Sequence, residues 1–75
     1  MSRGPATRRP MRMTARRREV AALVLQALTD REIASRLGIA DKTAERHTMQ
    51  LRALYGARNR VALALALQRE AMEAA

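Results

Sequence analysis

One stretch constrains the chain more than any other: TDREIASRLGIADKTAERHTMQLRALYG, residues 29–56. A short helical pattern, residues 29–37, stops at Gly38. A longer one, Asp41–Tyr55, stops at Gly56. Only Ile39 and Ala40 lie between the first stop and the second helix. Two helices joined by so tight a turn, with a glycine stop, have the sequence form of a helix-turn-helix unit. In such a unit the second helix is the one that enters the DNA major groove. Thr29 is the expected N-cap of the first helix, and Glu32 sits where a capping box needs it. Ile33, Ala34 and Leu37 then point inward, Gly38 fits the left-handed position after the helix, and Ile39 plugs the corner.

The longer helix divides by face. At about 100° per residue, Ala44, Thr48, Leu51 and Tyr55 share one side, flanked by His47 and Leu54. Lys42, Glu45, Arg46, Met49 and Arg52 share the other. An ordinary amphipathic helix with a solvated side has the same division. Two features favour a nucleic-acid face instead: the tight turn and the charge. The chain carries a net +8, and Lys42 is the single lysine among its 15 basic residues. Such an excess suits a polyanion, with nucleic acid first and an acidic membrane surface second.

Length and composition exclude much else. Seventy-five residues allow one domain, near the lower limit for a chain that folds without staples. There is no cysteine, so no disulfide and no thiolate metal site. A lone histidine, His47, gives no metal site and no catalytic pair, so it is read as structural. No metal, cofactor or small-molecule ligand is expected, and no enzymatic activity. No run of about 18 apolar residues is available to span a bilayer. The basic N-terminus lacks an apolar signal core, which implies a cytoplasmic protein.

The flanks follow from pattern. Residues 1–12, MSRGPATRRPMR, are basic and poor in aliphatic side chains, and are expected to be a disordered arm. The arm either follows phosphates and a minor groove or is an uninvolved tail. Residues 13–75 are expected to form the folded domain, an all-α one. The first helix is expected from Thr14 to about Leu28, with Val20, Leu23, Val24, Ala27 and Leu28 as its core stripe. Arg16, Arg17 and Arg18 crowd its first turn, against the helix dipole. The turn either lies near phosphates or tolerates a penalty of about a few tenths of a kcal/mol per cation. The last helix follows Asn59, a good N-cap. Its alternation of Leu with Ala imitates a strand, but alanine is the best helix former and a lone strand has no partner. On a helix the apolar residues form two stripes, Val61/Leu65/Met72 and Leu63/Leu67. One closes the core, and the other is left for a helix-to-helix homodimer. Leu63, Leu65 and Leu67 are the candidate interface residues.

From Met13 to about Gln68 the chain resembles the LuxR-type (GerE-type) DNA-binding domain. The residues that carry the resemblance are Thr14, Arg18-Glu19-Val20, Thr29-Asp30-Arg31-Glu32-Ile33-Ala34 and Arg36-Leu37-Gly38-Ile39. Lys42-Thr43, His47, Gly56 and Arg58-Asn59-Arg60 complete it. The resemblance implies a four-helix bundle whose third helix reads the major groove and whose fourth dimerises. It implies a bacterial transcription regulator acting on imperfect inverted repeats. Most such proteins carry an N-terminal receiver or ligand-binding domain, for which this chain has no room. It is therefore expected to be a stand-alone member or an excised C-terminal domain. It departs from the family at Arg17, usually Glu, and at Ala40, usually a Ser or Thr cap. Ala44 replaces a β-branched residue, Glu45 a frequent base, Thr48 a large aliphatic and Leu54 a frequent Lys.

The expected reading set is Lys42, Glu45, Arg46 and Met49. Arg46 suits a bidentate contact to guanine, Glu45 a cytosine amino group or the orienting of Arg46, and Met49 a thymine methyl, while Lys42 suits a guanine or a phosphate. Thr29, Arg31, Thr43, Arg52, Arg58 and Arg60 are the phosphate candidates. The expected partners are double-stranded DNA and a second copy of the chain, with RNA polymerase as a further candidate. The competing function is a protein-interaction module of the same fold that contacts RNA polymerase or another regulator.

Overall fold

The computed structural model describes residues 13–74, which form four helices and no strand. They are α1 (Ala15–Leu25), α2 (Asp30–Leu37), α3 (Asp41–Tyr55) and α4 (Arg60–Ala74). The expected arm at residues 1–12 lies outside the described residues. Among the described residues, no helix is long and apolar enough to cross a membrane.

Local chemistry accounts for the starts of three helices. Thr14 Oγ1 accepts from the Arg17 amide at 3.2 Å and caps α1. Thr29 and Glu32 form the full capping box of α2: the Glu32 amide donates to Thr29 Oγ1 and the Thr29 amide donates to Glu32 Oε1. Each bond satisfies a helix-start N–H that has no partner within the helix. Asn59 Oδ1 accepts from the Ala62 amide at 2.8 Å and caps α4. α3 differs, since Ala40 has no side chain to cap with and no side-chain cap bond is made.

Three helices stop in the same way. Gly38 and Gly56 adopt φ +68° and +63°, and the next residue donates back across the last turn: Ile39 to Ala34 O, Ala57 to Arg52 O. α1 makes the same closure, with Leu28 donating to Leu23 O, but the residue in the left-handed region is Ala27, at φ +66°. The first helix therefore ends at Leu25 and not near Leu28. Alanine, the best helix former, gives no stop signal, so helical periodicity runs through it. Ala27 is exposed at this turn and takes no part in the core, and Leu28 is half-buried beside it.

The core is aliphatic. Val20, Ile33, Ala44, Leu51 and Leu63 are wholly buried, with Ala21, Leu23, Val24, Ala34 and Leu67 nearly so. Leu37, Ile39, Leu54 and Tyr55 pack against this cluster from its edge. Two polar ties anchor α4 to the other helices. The Tyr55 hydroxyl donates to Glu70 Oε1 at 2.6 Å, linking α3 to α4. Burial, helped by the Glu70 carboxylate, pushes the Tyr55 hydroxyl up to about 12, so it remains the donor. The second tie is a clip at the head of α2. Arg60 donates to Asp30 Oδ1 at 2.7 Å and to Leu28 O at 2.6 Å.

α4 carries both expected stripes. Leu63 and Leu67 are the stripe that closes the core, with 0% and 4% exposure, whereas Val61, Leu65 and Met72 are 68%, 55% and 71% exposed. Leu63 and Leu67 thus lose their place among the interface candidates. A side chain buried in its own protomer has no surface left for a second copy. Leu65 keeps its place.

Candidate nucleic-acid interface

α3 is oriented by the inner face of its own sequence. Ala44 and Leu51 are wholly buried, and Thr48 is 4% exposed. A buried hydroxyl needs a partner. Thr48 Oγ1 donates to the Glu45 carbonyl at 2.9 Å and lies 3.3 Å from Asp30 Oδ2. Asp30 therefore sits between Thr48 of α3 and Arg60 of α4, and fixes the start of α2 against both.

With that face packed, the opposite one is presented outward. Lys42, Glu45, Arg46 and Met49 are all exposed, and they line one shallow depression of about 480 Å³ with Gln50 and Ala53. All four expected reading residues thus share one surface, with Met49, 65% exposed, as its projecting apolar group. The Glu45 backbone carbonyl is engaged by Thr48, while its carboxylate stays on the outer face.

The six phosphate candidates separate. Arg31 and Arg58 are exposed, and Thr43 is half-buried in the first turn of α3. Thr29 is exposed, but its hydroxyl already accepts in the capping box. Arg52 turns back on its own helix end, donating to Ala57 O at 3.5 Å and Arg58 O at 2.6 Å. Arg60 is engaged by Asp30 and Leu28. Both guanidiniums do structural work that periodicity does not reveal. Arg60 in particular pairs with a carboxylate 30 positions away, and no local pattern announces such a pair.

A second cationic region adjoins α3. Arg17 of α1 donates to Gln50 Oε1 at 2.8 Å, a contact the sequence reading missed. Arg16 pairs with Glu19 at 3.0 Å on the exposed side of α1. His47 lies half-buried, and its Nδ1 atom is buried without a hydrogen-bond partner. Burial, followed by the positive charges of Arg17, Arg16 and Arg46, holds its pKa below the usual histidine value. The first turn of α1 thus brings Arg16 and Arg17 close to α3.

The order of helices, the tight α2–α3 turn and the basic outer face of α3 are the features of a DNA-reading domain. A family model, GerE: Bacterial regulatory proteins, luxR family, matches residues 11–67. The chain belongs to the LuxR family. No curated protein and no solved structure matches the chain significantly. For a LuxR-family domain the class of function is DNA-binding transcription regulation, and DNA is the partner it implies. The match runs from before α1 into α4, through Leu67. It includes the whole of α3 and the Asp30–Arg60 clip.

Proposed function

We propose that the protein is a sequence-specific cytoplasmic regulator that binds an inverted-repeat operator as a homodimer, with α3 of each copy in the major groove. One observation carries this reading: Lys42, Glu45, Arg46 and Met49 line a single outward surface while Ala44, Thr48 and Leu51 anchor the same helix. Arg46 is the lead reading residue, through guanine O6 and N7. Glu45 accepts from a cytosine amino group, Met49 meets a thymine methyl, and Lys42 serves a guanine or a phosphate. Arg31, Arg58 and Thr43 fix the register on the backbone, since phosphate contacts position a protein without reading sequence. Arg52, Arg60 and Thr29 act mainly from within, holding the surfaces that make those contacts.

The dimer forms through the outer stripe of α4, Val61, Leu65 and Met72. Leu25, 42% exposed at the end of α1, extends it, and a groove of about 250 Å³ joins Leu25 to Val61 and Ala64. Contiguous apolar surface of this kind on a small domain favours association.

The test is a titration of wild type and Arg46→Ala on duplexes selected from a random pool at physiological salt. Arg46→Ala is expected to lose about 1–3 kcal/mol of binding and to relax preference at one base position. Unchanged affinity and preference would remove Arg46 from the reading role. Salt-sensitive wild-type binding with no enriched motif would leave only a nonspecific phosphate-binding role.

A further inference from the structure

Gln50 lies one turn beyond Arg46 and lines the same depression as Lys42, Glu45, Arg46 and Met49. It is half-buried, and the Arg17 guanidinium reaches it across 33 positions of sequence to donate to Oε1 at 2.8 Å. Chemistry settles which way the amide faces. The two ends of a glutamine amide have nearly the same shape, but a guanidinium has only N–H donors. Only the oxygen can meet it. Arg17 therefore holds Oε1 toward α1, and the Nε2 amino group is the half turned away.

That restraint matters for base readout. An unrestrained glutamine pairs with adenine through both halves, accepting from N6 and donating to N7. With the oxygen held toward α1, Gln50 presents its Nε2 donor to the groove. Guanine presents acceptors at N7 and O6, adenine at N7 and thymine at O4, whereas cytosine presents an amino donor. A donor facing that amino group finds no partner.

We propose that Gln50 is a specificity-determining residue that rejects cytosine at one operator position, and that Arg17 is its positioning residue. The proposal rests on the DNA-reading role of α3. It also gives Arg17 a task that explains a cation in the first turn of α1, where the helix dipole disfavours one.

The experiment selects bound duplexes from a random pool at fixed salt. It uses wild type, Gln50→Ala, Gln50→Glu, Arg17→Met and Arg17→Lys, each checked by thermal melting. Wild type enriches a motif with one position depleted in cytosine. Gln50→Ala loses about threefold to tenfold of discrimination at that position and keeps the others. Gln50→Glu, an acceptor only, turns the same position toward cytosine. Arg17→Met relaxes it, and Arg17→Lys, whose ammonium is also a pure donor, restores it. A Gln50→Ala motif identical to wild type overturns the proposal. So does a uniform loss of affinity across all sequences, which is the mark of a phosphate contact. A motif that shifts with Gln50 but not with Arg17→Met overturns the positioning role. If Arg17→Met does not fold, Gln50→Glu and Arg17→Lys decide the matter between them. A wild type that enriches no motif overturns the DNA reading beneath. A wild-type motif that ignores Gln50 overturns this inference alone.

Discussion

Gly38 and Gly56 close α2 and α3 in the left-handed region, while α1 makes the same closing turn on Ala27, at φ +66°. The contrast extends to the rest of each pair of helices. α2 has a complete capping box and α3 presents a charged, hydrated outer face. α1 and α4 instead expose Leu25, Val61, Leu65 and Met72. The ends of α2 and α3 are marked by glycines in the sequence itself. The α1–α4 layer depends on tertiary packing, on the Asp30–Arg60 clip and, in the proposed dimer, on a second copy. A glycine stop fixes where α3 ends before any partner arrives, whereas a packing layer can leave part of its apolar surface for assembly.

The largest expected effect tests the two stripes of α4 against each other. Leu63 is wholly buried and Leu65 is 55% exposed. Leu63→Ala should destabilise the domain by about 2–5 kcal/mol, through lost burial and the cavity left behind. Leu65→Ala should change the stability of the dilute protein by no more than about 0.5 kcal/mol, the usual range for a surface substitution. Leu65→Glu should instead lower the sedimenting mass at concentrations where the proposed dimer forms. Chemical denaturation and sedimentation measure the two quantities separately. Equal destabilisation by Leu63→Ala and Leu65→Ala would mean that the stripes are not divided between core and partner.

A smaller effect tests the helix endings, and its sign differs between the two regions. An alanine Cβ built at Gly38 meets nothing within 4 Å, so Gly38→Ala encounters only the backbone penalty of the left-handed region. It should cost about 1–2 kcal/mol. Ala27→Gly should stabilise by about 0.5–1 kcal/mol, because relief of the same strain exceeds the added entropy of the unfolded glycine. Opposite shifts in melting temperature are the expected outcome. A destabilising Ala27→Gly would show that the turn after α1 carries no strain to relieve.

These cases also show why the chain is unevenly legible. Caps and glycine stops are local, so Thr14, Thr29 with Glu32, Gly38, Gly56 and Asn59 identify most helix boundaries from their neighbours alone. Helical periodicity does the same for the two faces of α3 and for the existence of two stripes on α4. It cannot say which stripe faces inward, because Leu63 and Leu65 are equally apolar and only the positions of the other helices choose between them. It misplaces the end of α1, because an alanine in the left-handed region looks like any other alanine. It assigns Arg52 and Arg60 to phosphates because they are cationic and near the reading helix. Their carbonyl and carboxylate partners become adjacent only in the folded chain. The Arg17–Gln50 contact is hidden for the same reason.

The smallest effect concerns pH, and the two regions again separate. His47 lies beside Arg17 and Arg16 of α1 and Arg46 of its own helix, and burial is the first cause of its lowered pKa. The unfolded histidine titrates near about 6.5. Between that value and the lower folded value, the unfolded chain binds more protons, so stability falls as pH falls through the window. Glu32 has a lowered pKa in the capping box, chiefly because the Thr29 amide donates to its carboxylate. Its contribution is present above the ordinary carboxylate value and is lost as pH falls through the lower folded one. The packing of α3 around His47 should therefore weaken first, just below neutrality, and the capping box only in more acidic solution. Denaturation midpoints measured from pH 8 downward for wild type and His47→Asn check the order: the variant should lack the first decline and keep the second. Added salt should reduce the arginine part of that decline by screening but leave the burial part, because a buried Nδ1 gains little from ions in solution. A first decline abolished by salt would mean that the arginines, and not burial, set the state of His47.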